Sequence, residues 1–417
     1  MKILFVHQNM PGQYREMVQW LTANQSHEIA FLTQRRNPPR FDGVNTVIYK
    51  PHHVPDKKAY GLSKVWEQAT GVGFGAAMAA RTLEQDHGFK PDIVVGHVGW
   101  GELTFFKQIW PDVPIIGFFE YYYKMEGGIV GFDPMEPTNE HTPFLLEARN
   151  AVPLANIETV DLGQCPTEWQ RDRFPPSFHD RMYVCHDGIR TDLLVPDPDV
   201  TLGLSRLSRP VNRDDEIITY VARNLETTRG FHILMRALPR ILRERPKARI
   251  LVLGGNDVSY GGKSAHPGGL RAKMEAEVGA DMDWSRCHFL GQVAYQDFRK
   301  IIQISRCHIY LTMPFVLSWS MMEAMSMQAT IVASDVLPVR EMLTHGETGL
   351  LVDFHQPDAL ASQVIDVLAN TPDYQHLGVN ARSFVREKHD FLTKCLPEHM
   401  RRINSLVPAS RQMEIPG

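Results

Sequence analysis

Residues 308–335 read HIYLTMPFVLSWSMMEAMSMQATIVASD, and this stretch decides the fold. Ile309 to Met313 is a short apolar run with a β-branched and an aromatic residue, the pattern of a buried strand. Pro314 ends it, because proline cannot donate to a sheet ladder, and Phe315 to Trp319 form a connection. From Ser320 the apolar Met321, Met322, Met325 and Met327 come with small Ala324 and Ser326, as in a tightly packed helix. A second strand, Ala329 to Ser334, follows at once. The result is a βαβ unit whose helix N-terminus faces the C-terminal strand ends, where open α/β sheets bind anions and nucleotides. One carboxylate, Glu323, is expected in the first turn of that helix.

The rest of the chain repeats this rhythm. Its 417 residues exceed one ordinary core, so two or three domains are expected. Hydrophobic content of 43% with 22% charged residues is that of a globular protein and excludes a disordered one. A net charge of −4 gives no basic surplus for nucleic acid. The apolar run Ile3 to Val6 is too short for a signal core, and nothing approaches a membrane span. The five cysteines are scattered, odd in number and never spaced C-x-x-C, which points to packing thiols in a reducing, cytoplasmic setting.

In the first half, Lys2 to His7, Glu28 to Thr33, Asp92 to Gly96, Val113 to Phe118, Val160 to Cys165 and Met182 to Cys185 read as strands. Helical spacing covers Tyr14 to Ala23, Val65 to Leu83 and Pro143 to Asn156. Gly12 stands at the first turn, where it lets backbone approach a ligand or simply makes a turn. Gly71-Val-Gly-Phe-Gly75-Ala imitates a dinucleotide fingerprint, but it follows no strand and lies inside helical spacing, so close packing explains it better. His97 and Glu120 end consecutive strands, where ionisable residues are well placed to line a cleft. Residues Tyr121 to Thr142, rich in Gly, Pro, aromatics and carboxylates, read as a substrate-side loop.

A Pro-, Asp- and Ser/Arg-rich stretch separates the halves, which sets residues 1–200, a linker at 201–215 and a second domain at 216–389. Strands are expected at Ile217 to Val221, Arg249 to Leu253, His288 to Leu290 and Gly349 to Val352. Helices are expected at Phe231 to Arg243, Tyr295 to Ser305 and Pro357 to Leu368. Asn256 to Gly269 is an irregular glycine-rich loop. Asn380 to Arg402 reads as final helical material before a poorly ordered tail, with residues 390–417 completing the first domain. Arg223 and Arg229, six positions apart and followed by Gly230 at a helix start, would suit a diphosphate.

Taken together, R-x5-[KR]-G, Gly254-Gly255, Phe289 to Val293 (FLGQV), Glu323 to Met325 (EAM) and Glu341 to Val352 (E-x7-G-L-L-V) resemble family-four glycosyltransferases of the GT-B fold. The order and spacing match over most of residues 217–353. The resemblance implies an α/β architecture of two Rossmann-like domains facing across a cleft, with the C-terminal helix crossing back to the first. It implies a retaining transferase that uses a nucleotide-diphosphate sugar and needs no metal or other cofactor. Arg223 and Arg229 match the pair on the donor diphosphate, with Arg229 where Lys is usual. Glu323 matches the glutamate on the ribose hydroxyls, a task suited to a carboxylate with two acceptor oxygens. Gly254, Ser318, Trp319 and Ser320 match backbone near the phosphates and sugar, and Val293 a position near the base.

Two positions depart from the family pattern. Phe315 stands where the first signature glutamate contacts donor-sugar hydroxyls, and Glu120 stands where many relatives carry His. Ser320 and Glu323 also spell S-x-x-E, a capping box, although relatives often carry Pro at the Ser320 position. A sugar-nucleotide epimerase and a non-catalytic sugar-nucleotide-binding subunit are the alternative functions. The expected partners are a nucleotide sugar and an acceptor sugar, glycan or small molecule. Membrane contact is expected to be peripheral at most, through Lys394 to Arg402.

Overall fold

The apolar run Lys2–Val6 forms β1, and its side chains alternate between two cores: Ile3 and Phe5 enter one, Leu4 and Val6 the other. A strand buried on both faces belongs to a parallel sheet covered by helices on each side. The computed structural model describes residues 1–24, 27–203, 209–262 and 264–416. It divides into two units: Met1–Met125 with Asn139–Gly188 and Phe391–Gly417, and Glu126–Thr138 with Ile189–Asp390. The change of unit at Gly188 falls earlier than the composition suggests. Within the expected linker, Leu202 and Val211 exchange backbone hydrogen bonds of 2.9 Å each, while residues 204–208 lie outside the described residues.

The first unit adds β2 (Glu28–Thr33), β3 (Val44–Ile48), β4 (Ile93–His97), β5 (Ile115–Phe118), β6 (Leu162–Cys165) and β7 (Met182–Val184). The sheet is parallel, in the order β3-β2-β1-β4-β5-β6-β7. The strand order reverses between β1 and β4, which is where such sheets bind ligands. β3 was not legible in the sequence, because this edge strand is only partly buried and lacks an apolar run.

Helix Lys64–His87 carries the Gly71-Gly73-Gly75 series. A Cβ would sit 2.2 Å from the His53 carbonyl oxygen at Gly71, 2.4 Å from that of Gly101 at Gly73, and 2.2 Å from that of Lys50 at Gly75. These glycines admit neighbouring backbone and have no part in a dinucleotide site.

Helix Leu396–Leu406 places Leu396, Met400 and Ile403 in the same core as Ile3 and Phe5. His399 joins it to β7 by accepting from the Tyr183 hydroxyl at 3.2 Å and donating to the His186 carbonyl at 3.1 Å. The final helical stretch is not continuous. Helix Thr371–Lys388 ends in the second unit and Phe391–Cys395 forms a wider turn before the last helix. The tail is also better held than its composition suggests. Met413 is buried, and its N–H and C=O both bond to the Asn404 side chain at 2.8 Å.

The second unit holds β8 (Ile217–Asn224), β9 (Arg249–Gly255), β10 (Cys287–Gly291), β11 (Cys307–Tyr310), β12 (Ile331–Ser334) and β13 (Leu350–Val352). Its parallel order is β10-β9-β8-β11-β12-β13, reversing between β8 and β11. β11 starts earlier than the apolar run and takes in His308 as a fully buried residue. The Thr219 hydroxyl lies 2.9 Å from His308 Nδ1, and burial pushes the imidazole down to about 4, so it stays neutral.

The segment Glu126–Thr138, between β5 and helix Thr142–Ile157 of the first unit, belongs to the second. Asp133 and His232 form a buried pair at 2.9 Å, with side chains 2% and 1% exposed. Phe132 packs on Phe354 at 5.3 Å, and Glu136 accepts from the Gly262 N–H at 3.0 Å and from the Thr227 hydroxyl. Half of the stretch read as a substrate-side loop is therefore anchored in a core.

Candidate functional site

In the second unit the loop after β8 and the connection after β11 meet at the reversal of strand order. Arg229 lies at the end of the first, buried at 7% exposure. Its Nη1 donates to Thr312 Oγ1 and to the Val316 carbonyl, both at 2.9 Å, which ties it to the chain entering helix Trp319–Ser326. The rings of Tyr260 and Phe315 stand 5.5 and 5.7 Å from its guanidinium carbon, and 4.9 Å from each other. Among the described residues no carboxylate pairs with Arg229. A buried cation without a counter-charge is costly unless an anion joins it. Phe315, 3% exposed, thus stands beside the guanidinium where the family pattern has a carboxylate. Arg223, on β8, is exposed.

The glycine-rich loop is organised by a carboxylate that sequence reading passed over. Glu226 Oε2 accepts from the N–H groups of Ser259, Tyr260 and Gly261 at 3.1, 3.0 and 3.2 Å, which places Tyr260 against Arg229. Lys263 of that loop lies outside the described residues. Gly254 and Gly255 end β9 against the loop after β8. A Cβ on Gly254 would lie 2.9 Å from Leu225, and one on Gly255 would lie 2.5 Å from Asn224 Oδ1.

Helix Trp319–Ser326 starts one residue earlier than expected, so Glu323 falls in its second turn, not its first. Its N-cap is Ser318, whose hydroxyl accepts from the Ser320 N–H at 3.4 Å, so Ser320 and Glu323 form no capping box. The Ser318 N–H itself donates to the Tyr310 hydroxyl at 2.7 Å. Glu323 Oε1 instead accepts from the Tyr295 hydroxyl at 2.6 Å, from the helix that follows β10. Trp319 is 39% exposed, and Val293 is half-buried between β10 and that helix. If Glu323 holds donor hydroxyls, Glu323→Ala should raise the donor KM about tenfold, the effect of one charged hydrogen-bonding group, with the melting temperature little changed. An unchanged KM in steady-state assays would remove it from the site.

In the first unit the sequence candidates meet at the ends of β1, β4 and β5. His97 stacks on Trp100 at 4.0 Å, and His7 stands edge-on to both, at 5.5 Å from His97 and 5.2 Å from Trp100. The amide N–H of Gly99 donates to His97 Nδ1, and that of Asn9 to His7 Nδ1, each at 2.9 Å. In each neutral ring the proton therefore sits on Nε2. His97 Nε2 lies 3.5 Å from Glu120 Oε2. Gly12 has φ +55 and packs on the His7 ring, where a Cβ would approach to 2.7 Å. His7, Trp100 and Glu102 are additions that sequence reading missed. The strand-end pattern of His followed two positions later by a loop amide was the available signal.

The family description "Glycosyl transferase family 4 group" matches residues 25–194, and "Glycosyl transferases group 1" matches residues 205–384. D-inositol 3-phosphate glycosyltransferase of Streptomyces scabiei is 26% identical over 287 residues, 67% of this chain and 58% of that protein. Phosphatidyl-myo-inositol mannosyltransferase of Mycobacterium tuberculosis is 29% identical over 165 residues, 38% of this chain and 39% of that protein. The chain spans about half the length of the curated relatives it matches. Among solved structures, sucrose-phosphate synthase of Thermosynechococcus elongatus covers 97% of this chain and 99% of its own, with TM-score 0.71 and 17% identity. Anabaena HepE in complex with UDP and glucose covers 97% and 100%, with TM-score 0.68 and 15% identity. These likenesses show the fold, two Rossmann-like units of the GT-B class. With one family description matching each half, the chain belongs to the family-four glycosyltransferases.

Proposed function

We propose that the chain transfers a sugar from a nucleotide-diphosphate donor to an acceptor hydroxyl, with retention at the anomeric carbon and without a metal ion. The observation that carries this reading is Arg229, a buried guanidinium at the strand-order reversal of the second unit with no carboxylate partner among the described residues. A donor diphosphate supplies the missing charge, and the exposed Arg223 adds a second cation. Negative charge grows on the diphosphate as the bond from C1 to its oxygen breaks, and fixed cations stabilise that charge without a metal. The acceptor oxygen bonds to C1 on the same face, and its proton passes to the departing diphosphate oxygen. Glu323 holds the ribose, while Gly254, Val293 and the backbone at Ser318–Ser320 line the nucleotide. His97, as a neutral Nε2–H donor, and Glu120 bind sugar hydroxyls in the first unit.

A uridine diphosphate sugar is the first donor to try, since HepE was solved with UDP and with UDP-glucose. The test is an incubation of α-linked UDP- and GDP-sugars with an acceptor panel in the presence of a chelator, with the product anomer read by proton NMR. An α-product that forms equally well with chelator supports the reading. A β-product, or loss of turnover on chelation, overturns retention or metal independence respectively.

A further inference from the structure

Residues 259–262 of the glycine-rich loop are laced, one after another, to the loop after β8. Ser259 Oγ accepts from Asn224 Nδ2 at 2.7 Å. The N–H groups of Ser259, Tyr260 and Gly261 all donate to one oxygen of Glu226, which is 2% exposed. The Gly262 N–H donates to Glu136, to which the Thr227 hydroxyl also donates. Successive amides that converge on an anion fix the backbone between them. Tyr260 is the one large side chain in this run, and the fixed backbone sets it against Arg229. With Phe315, 4.9 Å away, it forms one aromatic corner beside the guanidinium. Phe315 is the buried back of that corner, at 3% exposure, and Tyr260 its open front, at 37%. Among the described residues the guanidinium hydrogen bonds use Nη1 alone, so Nε and Nη2 offer a forked edge to an anion.

We propose that Tyr260 is the wall of the donor site that takes the C–H face of the donor sugar, with Glu226 as the positioning residue that holds it there. The inference rests on the transferase reading, which puts the donor diphosphate on Arg229.

A phosphate on the forked edge carries the sugar on one of its oxygens, so the sugar falls beside the exposed part of the Tyr260 ring. The face of an aromatic ring is electron-rich, and pyranose C–H hydrogens carry slight positive charge, so the two attract when they stack. Hydroxyl groups gain no hydrogen bond from that face. The corner therefore favours a sugar that presents an unbroken C–H face, where a carboxylate would favour hydroxyl donors. Phe315 backs the ring and does not meet the sugar.

Isothermal titration of the full chain with UDP and UDP-glucose, and with GDP and GDP-mannose, tests this. For a pair that binds the wild type, Tyr260→Ala should weaken the nucleotide sugar by about tenfold, the upper end for one aromatic contact, and the free diphosphate by less than about twofold. Tyr260→Phe should match the wild type, since the ring and not its hydroxyl makes the contact. Glu226→Gln should show the same selective loss in weaker form, which a general loosening of the fold would not produce. No loss in Tyr260→Ala, a loss shared equally by diphosphate and nucleotide sugar, or a Tyr260→Phe as weak as Tyr260→Ala overturns the wall. A Glu226→Gln protein that binds both ligands as the wild type does overturns the positioning role. Where diphosphates bind the wild type and the selective loss is missing, this inference falls and the transferase reading stands. Where neither diphosphate nor nucleotide sugar binds, both fall. If Glu226→Gln does not fold, the two Tyr260 variants decide, because that side chain lies at the open front of the corner.

Discussion

Arg229→Met is expected to lower the rate of sugar transfer by a factor of about 10²–10³, the effect of losing one preorganised donor to a charge that develops in the transition state. The same variant should melt no lower than the wild type. The Arg229 guanidinium makes two hydrogen bonds among the described residues, to Thr312 and Val316, and otherwise faces the rings of Tyr260 and Phe315. In the free protein it carries the desolvation cost of a buried charge without a carboxylate to offset it. Replacing such a charge with an apolar side chain of similar length is often neutral or stabilising. Loss of activity with retained stability is the signature of a group held ready for an anion. A melting temperature that falls together with activity would mean that Arg229 serves the fold, and full activity would take it out of the chemistry.

Asp133→Ala should cost about 3 kcal/mol, since removing one member of a buried pair leaves the other unpaired. Asp133 accepts from His232 at 2.9 Å and from the Met135 N–H at 2.7 Å. Burial raises its carboxyl, but these bonds and the charges of His232 and His355 outweigh burial and hold it below the ordinary carboxylate value. A carboxyl depressed on folding stabilises the protein above its unfolded value of about 3.9, and that contribution disappears as pH falls through the folded value. The stability gap between wild type and Asp133→Ala should therefore be widest near neutrality and narrow below pH ~4. Urea unfolding at several pH values measures it. A gap that widens with acid would contradict the assignment.

The parts of the fold that were legible from sequence are those in which one residue's neighbours in the chain carry the signal. β1 reads as a strand because four consecutive apolar residues, Ile3 to Val6, enter two cores. Arg229, Glu323 and His97 stand out in the sequence as candidates because each lies at or after a strand end. What was not legible depends on partners distant in the chain. β3 is an edge with little burial, and the end of the last helical stretch is set by where the chain changes unit at Asp390. Half of the 121–142 loop looked free because the aspartate and histidine that anchor it are 99 residues apart. Glu102 and Glu226 carry no local signal that sets them apart from other acids in the sequence. Only the fold brings the amides of Gln8 and of Ser259 to Gly261 to their carboxylates. Phe315 was visible as an anomaly, but its position over the Arg229 guanidinium was not.

The central claim is that a donor diphosphate completes the charge of Arg229, and thermal unfolding with and without nucleotides tests it most directly. A ligand that binds the native state raises its apparent stability by about 2.7 kcal/mol at a hundred times Kd. UDP, GDP and ADP should be compared with the matching nucleosides, in wild type and in Arg229→Met. At least one diphosphate should raise the wild-type melting temperature by several degrees, its nucleoside should do far less, and the gain should vanish in Arg229→Met. A diphosphate that stabilises both proteins equally, or no diphosphate that stabilises the wild type, would contradict the account.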